Sequence, residues 1–163
     1  MAGTLSRGEI STPIVAILVT VAALAVTGIA IAWMTKVGFT ASQQGILTII
    51  GTATVSESGS DLYVTFTVKN LGTKNATMYA IQVGGSKPIT IGPGFTTVYV
   101  DGELIAGTPV IPAGDQAHVV TIVMSVSNIP ADVMNSIRSK GTTSITLHTD
   151  QGSISFSAYY LGA

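Results

Sequence analysis

His118 and His148 are the side chains best suited to acid–base or metal chemistry in this chain of 163 residues. A zinc site needs several ligating residues at short fixed spacings, and a hydrolase needs a histidine near an activated nucleophile. Neither pattern occurs. Each histidine falls within an alternating, strand-like stretch, away from loops that carry carboxylates, and the chain has no cysteine. Gly84-Gly85 and Gly92-Pro93-Gly94 lack the Lys-Ser/Thr pair and the following helix that a phosphate loop requires. The eight acidic residues are scattered singly, which argues against a calcium cage. The expectation is therefore a protein that is not an enzyme and holds no metal or other cofactor. Asn75-Ala76-Thr77, just after a turn, is a glycosylation sequon with a permitted middle residue, so Asn75 is the candidate for N-linked sugar.

Composition narrows the setting in which such a chain works. Hydrophobic residues make up 47% and charged residues only 9%, against about 25% charged in a usual soluble domain. The net charge of -1 provides no electrostatic footprint for nucleic acid. Hydroxyls fill the deficit, with 22 Thr and 15 Ser, some of them open to O-linked sugars. A surface with so little charge repulsion is prone to self-association. That is a liability in a monomeric enzyme and an asset in a polymerising subunit.

The element that dominates the first third of the chain is apolar. From Ile10 to Thr35 there is no charged residue. Ser11 or Thr12 suits a helix cap and Pro13 its first turn, where the missing N–H costs nothing. The 21 residues from Ile14 to Met34 would reach about 30 Å as a helix, the thickness of a bilayer core. The helix is expected to run on to Gln43, with Gly38 a weak point and Gly45 the interruption. The apolar run is too long for an ordinary secretion signal and lacks a small-residue cleavage site after it. Small residues are interspersed, and Ala23/Thr27 and Gly28/Ala32 form two small-xxx-small pairs that let helix backbones approach closely.

The run Arg7-Gly8-Glu9-Ile10-Ser11-Thr12-Pro13-Ile14-Val15-Ala16-Ile17 resembles the leader and N-terminal helix of archaeal type IV pilins and the related archaellins. In that family a prepilin peptidase cuts on the polar side of the apolar segment, which is retained and becomes the core of a filament. The resemblance places Arg7 and Gly8 before the cut and makes Glu9 the new N-terminus. Bacterial pilins carry a Glu at the fifth mature position, where this chain has Pro13, so the archaeal branch is the better match. Both removal and retention of the leader fit the sequence.

Beyond Gly45 the periodicity changes from helical to alternating. Leu62, Val64, Phe66 and Val68 alternate with Tyr63, Thr65 and Thr67 as a half-buried strand does. His118 to Met124 reads as a central strand, and Ile145 to Ala158 as two strands around the turn Asp150-Gln151-Gly152. Shorter strands are expected at 46–55, 78–83, 88–91 and 96–100, with a short helix at 130–138 capped by Asn128. Seven to nine strands at this spacing read as an immunoglobulin-like sandwich. Phe66 to Gly72, a strand followed by an Asn-x-Gly turn, is similar to a pattern in the heads of archaeal pilins and archaellins.

The expected fold class is α+β: a long N-terminal hydrophobic helix followed by an all-β immunoglobulin-like sandwich. The expected division is a basic leader at 1–8, an assembly or transmembrane helix at 9–45 and a β-sandwich head at 46–163. The resemblance implies a subunit held in the membrane as a precursor and handled by the prepilin peptidase and pilus assembly machinery. It then forms an extracellular homopolymer by helix–helix packing and presents the sandwich for adhesion or another surface contact. An archaellin, or a monomeric membrane-anchored ectodomain, are the alternative readings.

Overall fold

The computed structural model describes residues 12–42, 46–114 and 116–163, and divides into two units, residues 1–42 and 43–163. In the first unit, α1 spans Thr12–Ser42. Pro13 stands in the first turn, no proline follows it within the element, and neither Gly28 nor Gly38 interrupts the helix. The position of Gly45 lies outside the described residues.

The described residues of the second unit form ten strands: β1 Leu47–Ser58, β2 Asp61–Asn70, β3 Ala76–Val83, β4 Ile89–Thr90, β5 Thr96–Val100, β6 Glu103–Ile105, β7 Val110–Ile111, β8 Ala117–Ser125, β9 Thr142–Thr149 and β10 Gly152–Tyr160. Hydrogen-bonded neighbours follow the order β4-β3-β9-β10-β1-β2-β8-β5-β6, with β7 beside β3. Every pairing is antiparallel except β1 with β10, where Ala53 to Val55 run parallel to Ala158 to Tyr160.

The sheet doubles over one core. Phe66 on β2 and Phe156 on β10 are not on neighbouring strands, yet their ring centroids are 5.2 Å apart. Leu62, Val64 and Val68 on β2, Ile122 on β8, Ile81 on β3 and Leu147 on β9 are all fully buried. The molecule thus has the α+β layout read from the sequence, an apolar helix and an immunoglobulin-like sandwich. The alternation at 62–68 is inward for the apolar residues, as expected. Gly51, at φ 71°, sits in the irregularity of β1 where its pairing with β2 shifts between Ile50 and Thr54.

Three details differ from the sequence expectation. The strand total exceeds nine because β6 and β7 are three and two residues long, too short for alternation to register. The helix expected at 130–138 is α2, Ala131–Lys140, and its N-cap is Pro130 with no side-chain cap bond. Asn128 does not cap it: it ends a 3₁₀ turn, Val126–Asn128, whose own cap is the Ser125 hydroxyl accepting from the Ser127 amide. Proline's fixed φ is already suited to helix entry, so it serves at this boundary without a capping oxygen. Gly141, at φ 68°, closes α2 by donating its N–H to Ile137 O.

Candidate functional site

The feature that stands apart chemically is the surface of α1. Pro13 to Thr35 is a 23-residue stretch with mean hydropathy 2.8, long and apolar enough to cross a membrane. Its large side chains lie open in the single chain: Leu24 is 67% and Ile29 71% exposed. Apolar residues surround the whole helix and define no single greasy stripe, so it has no face suited to water.

The three threonine hydroxyls between Pro13 and Thr35 are internally satisfied. The hydroxyls of Thr20, Thr27 and Thr35 donate to the carbonyls of Ala16, Ala23 and Ile31, each at 2.8 Å. A threonine that returns its proton to the preceding turn presents mainly its methyl group outward, which suits a dry environment. Ala23, Thr27, Gly28 and Ala32 are all exposed, and a Cβ built on Gly28 would meet nothing within 4 Å. At 3.6 residues per turn, the Ala23/Thr27 and Gly28/Ala32 pairs lie about 140° apart around the axis. The two shallow tracks therefore face different directions. Arg7, Gly8 and Glu9 lie outside the described residues.

In the β-domain, Asn75 is exposed in the loop leading into β3, with Oδ1 accepting from the Ala113 amide at 3.0 Å. Ala76 is buried and Thr77 donates its backbone N–H to Asp150 Oδ1 at 2.8 Å. The sequon thus straddles a loop and the start of a strand.

The two histidines sit on different strands and do not meet. His118 on β8 bonds through Nδ1 to Asp101 Oδ2 at 2.7 Å, while Asp101 Oδ1 accepts from the Val119 amide. The expectation that neither histidine adjoins a carboxylate is therefore corrected: β5–β8 pairing brings the turn residue Asp101 alongside. Asp101 is the described non-glycine residue with positive φ, 53°, and its hydrogen bonds to His118 and Val119 hold its carboxyl below the usual range. His148 on β9 bonds to Ser153 Oγ at 2.8 Å, and its buried Nε2 has no partner among the described residues.

A second polar cluster joins three elements. Glu57 on β1 is 8% exposed. Arg138 on α2 donates to both of its oxygens, Nε to Oε1 at 3.0 Å and Nη2 to Oε2 at 2.7 Å. The Tyr160 hydroxyl at the end of β10 donates to Oε1 at 2.9 Å. The Arg138 bonds hold the Glu57 carboxyl below its ordinary pKa against the opposing effect of burial, whereas burial pushes the Tyr160 phenol up. Sequence reasoning missed this cluster because its members are separated by 81 and 103 positions. Three hydrogen bonds within the chain thus clamp the Glu57 carboxylate. No group of three or more His, Asp or Glu side chains able to hold a metal occurs among the described residues.

No protein-family model matches the chain. No curated protein matches it. Among solved structures it is similar to the N-terminal domain of PorA, at 13% identity over 72% of this chain and 100% of that one, TM-score 0.34. It is also similar to the CARDB domain of a Pyrococcus furiosus protein solved with di-metal ions, at 15% identity over 72% and 94%, TM-score 0.29. A protein from Archaeoglobus fulgidus gives 10% identity over 68% and 92%, TM-score 0.29. None is close enough to transfer a function.

Proposed function

We propose that this chain is a structural subunit of an archaeal type IV pilus-like filament, without catalytic activity. In this reading α1 resides in the membrane before assembly and in a bundle of sister helices afterwards, and the sandwich is presented outward for adhesion or another surface contact. The observation that carries it is the surface of α1: apolar on every side, with its hydroxyls tied back and two small-residue tracks pointing in different directions. A lone anchor needs only the hydrophobicity. Tracks for close approach on two sides suit a helix with several neighbours.

The leader-like run at Arg7-Gly8-Glu9 supports the same reading through its resemblance to the pilins and archaellins. Asn75, exposed in its loop, is the proposed site of N-linked sugar on the surface of the assembled fibre.

The test is negative-stain imaging of sheared cell-surface material combined with intact-mass measurement. Thin fibres containing this chain, lacking residues 1–8 and heavier by attached sugar, are the expected result. Recovery of the chain only as a monomer from detergent-extracted membranes would replace the filament with the anchored-ectodomain reading. Loss of attachment, with swimming intact, in cells lacking the protein separates the pilin from the archaellin.

A further inference from the structure

One outer face of the sandwich is built as a grid. On β2, Tyr63, Thr65 and Thr67 alternate with buried Leu62, Val64, Phe66 and Val68, so they face away from the core. Directly opposite them on β8 stand Val123, Thr121 and Val119. Tyr99 on β5 and Leu104 on β6 extend the middle row to the edge of the sheet. Val119 is 45% and Leu104 57% exposed, large for apolar side chains on a surface.

Among the described residues, the charges on this face come only at its two ends. Asp61 opens the outward row of β2 and Lys69 closes it, with no charged residue on the face between them. Asp101, at the Lys69 end, is already engaged with His118 and the Val119 amide. Beside Asp61 lies a depression of about 300 Å³, also lined by Phe95, Thr97 and Ser125.

We infer that this face is a self-complementary docking surface whose occupant is the same face of a second copy of the chain, turned through a two-fold axis. A row that carries an anion at one end and a cation at the other matches itself when reversed, which is what an isologous contact requires. Lys69 of one copy then reaches the depression beside Asp61 of the other, and the reverse. Lys69 has an interaction within its own chain, and its three N–H donors leave room for a second acceptor. The residue midway between the two charges is Thr65, which places it at the axis.

The size of the face sets the strength. With β1, whose Thr54 stands opposite Thr65, the face spans five strands, β1, β2, β8, β5 and β6, about 4.8 Å apart with the longest rows about 26 Å, which gives about 500 Å² per copy, or about 1,000 Å² in total. That is the lower limit for a specific interface. Two free copies would associate weakly, and arrayed copies would add up through avidity. The inference does not depend on the role of α1 and extends to an anchored monomer as well.

Because the chain has no cysteine, a single introduced thiol reports only on itself. The full chain in detergent, carrying Thr65→Cys, is treated with a short bismaleimide that spans the about 10 Å between packed sheets. Ser157→Cys, exposed on the outward side of β10, is the control for chance encounters in a micelle. Thr65→Cys should form covalent dimer about tenfold faster than the control. Adding Asp61→Lys, or Lys69→Asp, should abolish that advantage, and combining the two should restore it. Equal crosslinking of Thr65→Cys and Ser157→Cys would overturn the inference, as would a double charge swap that stays as slow as either single reversal.

Discussion

At the scale of single residues, the sandwich depends on a few polar side chains that are buried and fully engaged. Asn70 is the clearest. It is fully buried; Nδ2 donates to Lys74 O and Ile111 O, and Oδ1 accepts from the Gly72 amide. Removing the amide takes a donor from the buried Ile111 carbonyl, at about 1–3 kcal/mol, and leaves the part-buried Lys74 carbonyl and Gly72 N–H to find water at a smaller cost. Asn70→Ala should therefore lower unfolding stability by about 2–4 kcal/mol, read by urea denaturation; a loss below 0.5 kcal/mol, typical of a surface change, would show that the turn alone matters. Glu57 adds a pH dependence. Its folded pKa is lowered below the ordinary value of 4.5, so its contribution is complete above that value and fades as pH falls through the folded pKa. Glu57→Gln should reduce the melting temperature at pH 7 and flatten its decline toward pH 3, so that the gap between variant and parent narrows. Parallel melting curves at both pH values would dismiss the clamp.

At the scale of elements, what the sequence makes legible follows from periodicity. The apolar run at 14–34 and the alternation at 62–68 announce α1 and β2, because the period of burial is the period of the backbone. The strands β6 and β7 stayed hidden because they exist only through partners, Tyr99 opposite Leu104 and Thr77 opposite Val110. The Asn70 turn was legible, but its burial was not. Likewise Arg138 reads as a helix-end cation until tertiary contact brings Glu57 to it. The seat of α2 depends on a glycine whose role is equally tertiary. A Cβ on Gly84 would stand 2.8 Å from Val133 Cγ1, at φ 56°, while one on Gly85, at φ 81°, would meet nothing. Gly85→Ala should cost about 1 kcal/mol from backbone conformation alone, and Gly84→Ala about 2–4 kcal/mol because the Val133 side chain on α2 must also give way. Similar costs in chemical denaturation would mean that α2 is not seated tightly at this point.

At the scale of the whole molecule, the two units obey different chemistry and should fail separately. The β-domain carries the lowered carboxyls, Glu57 and Asp101, whose contributions are complete above their ordinary values of 4.5 and 3.8 and fade as pH falls through the lower folded values. The segment from Ile10 to Thr35 contains no titratable side chain at all. In the proposed assembly its retention in a dry environment rests on 13 large apolar side chains worth about 1.5–3 kcal/mol each relative to water. Even the lower figure amounts to about 14 factors of ten in partition, at about 1.4 kcal/mol per factor, and protons do not touch it. Acid should therefore loosen the sandwich without releasing the subunit. Fibres of the proposed kind, shifted from pH 7 to pH 3, should lose near-UV circular dichroism or melt at lower temperature, yet the chain should still sediment completely, with none in a detergent-free supernatant. Soluble monomer appearing in step with the acid transition would mean that contacts between β-domains, and not the bundled helices, hold the assembly together.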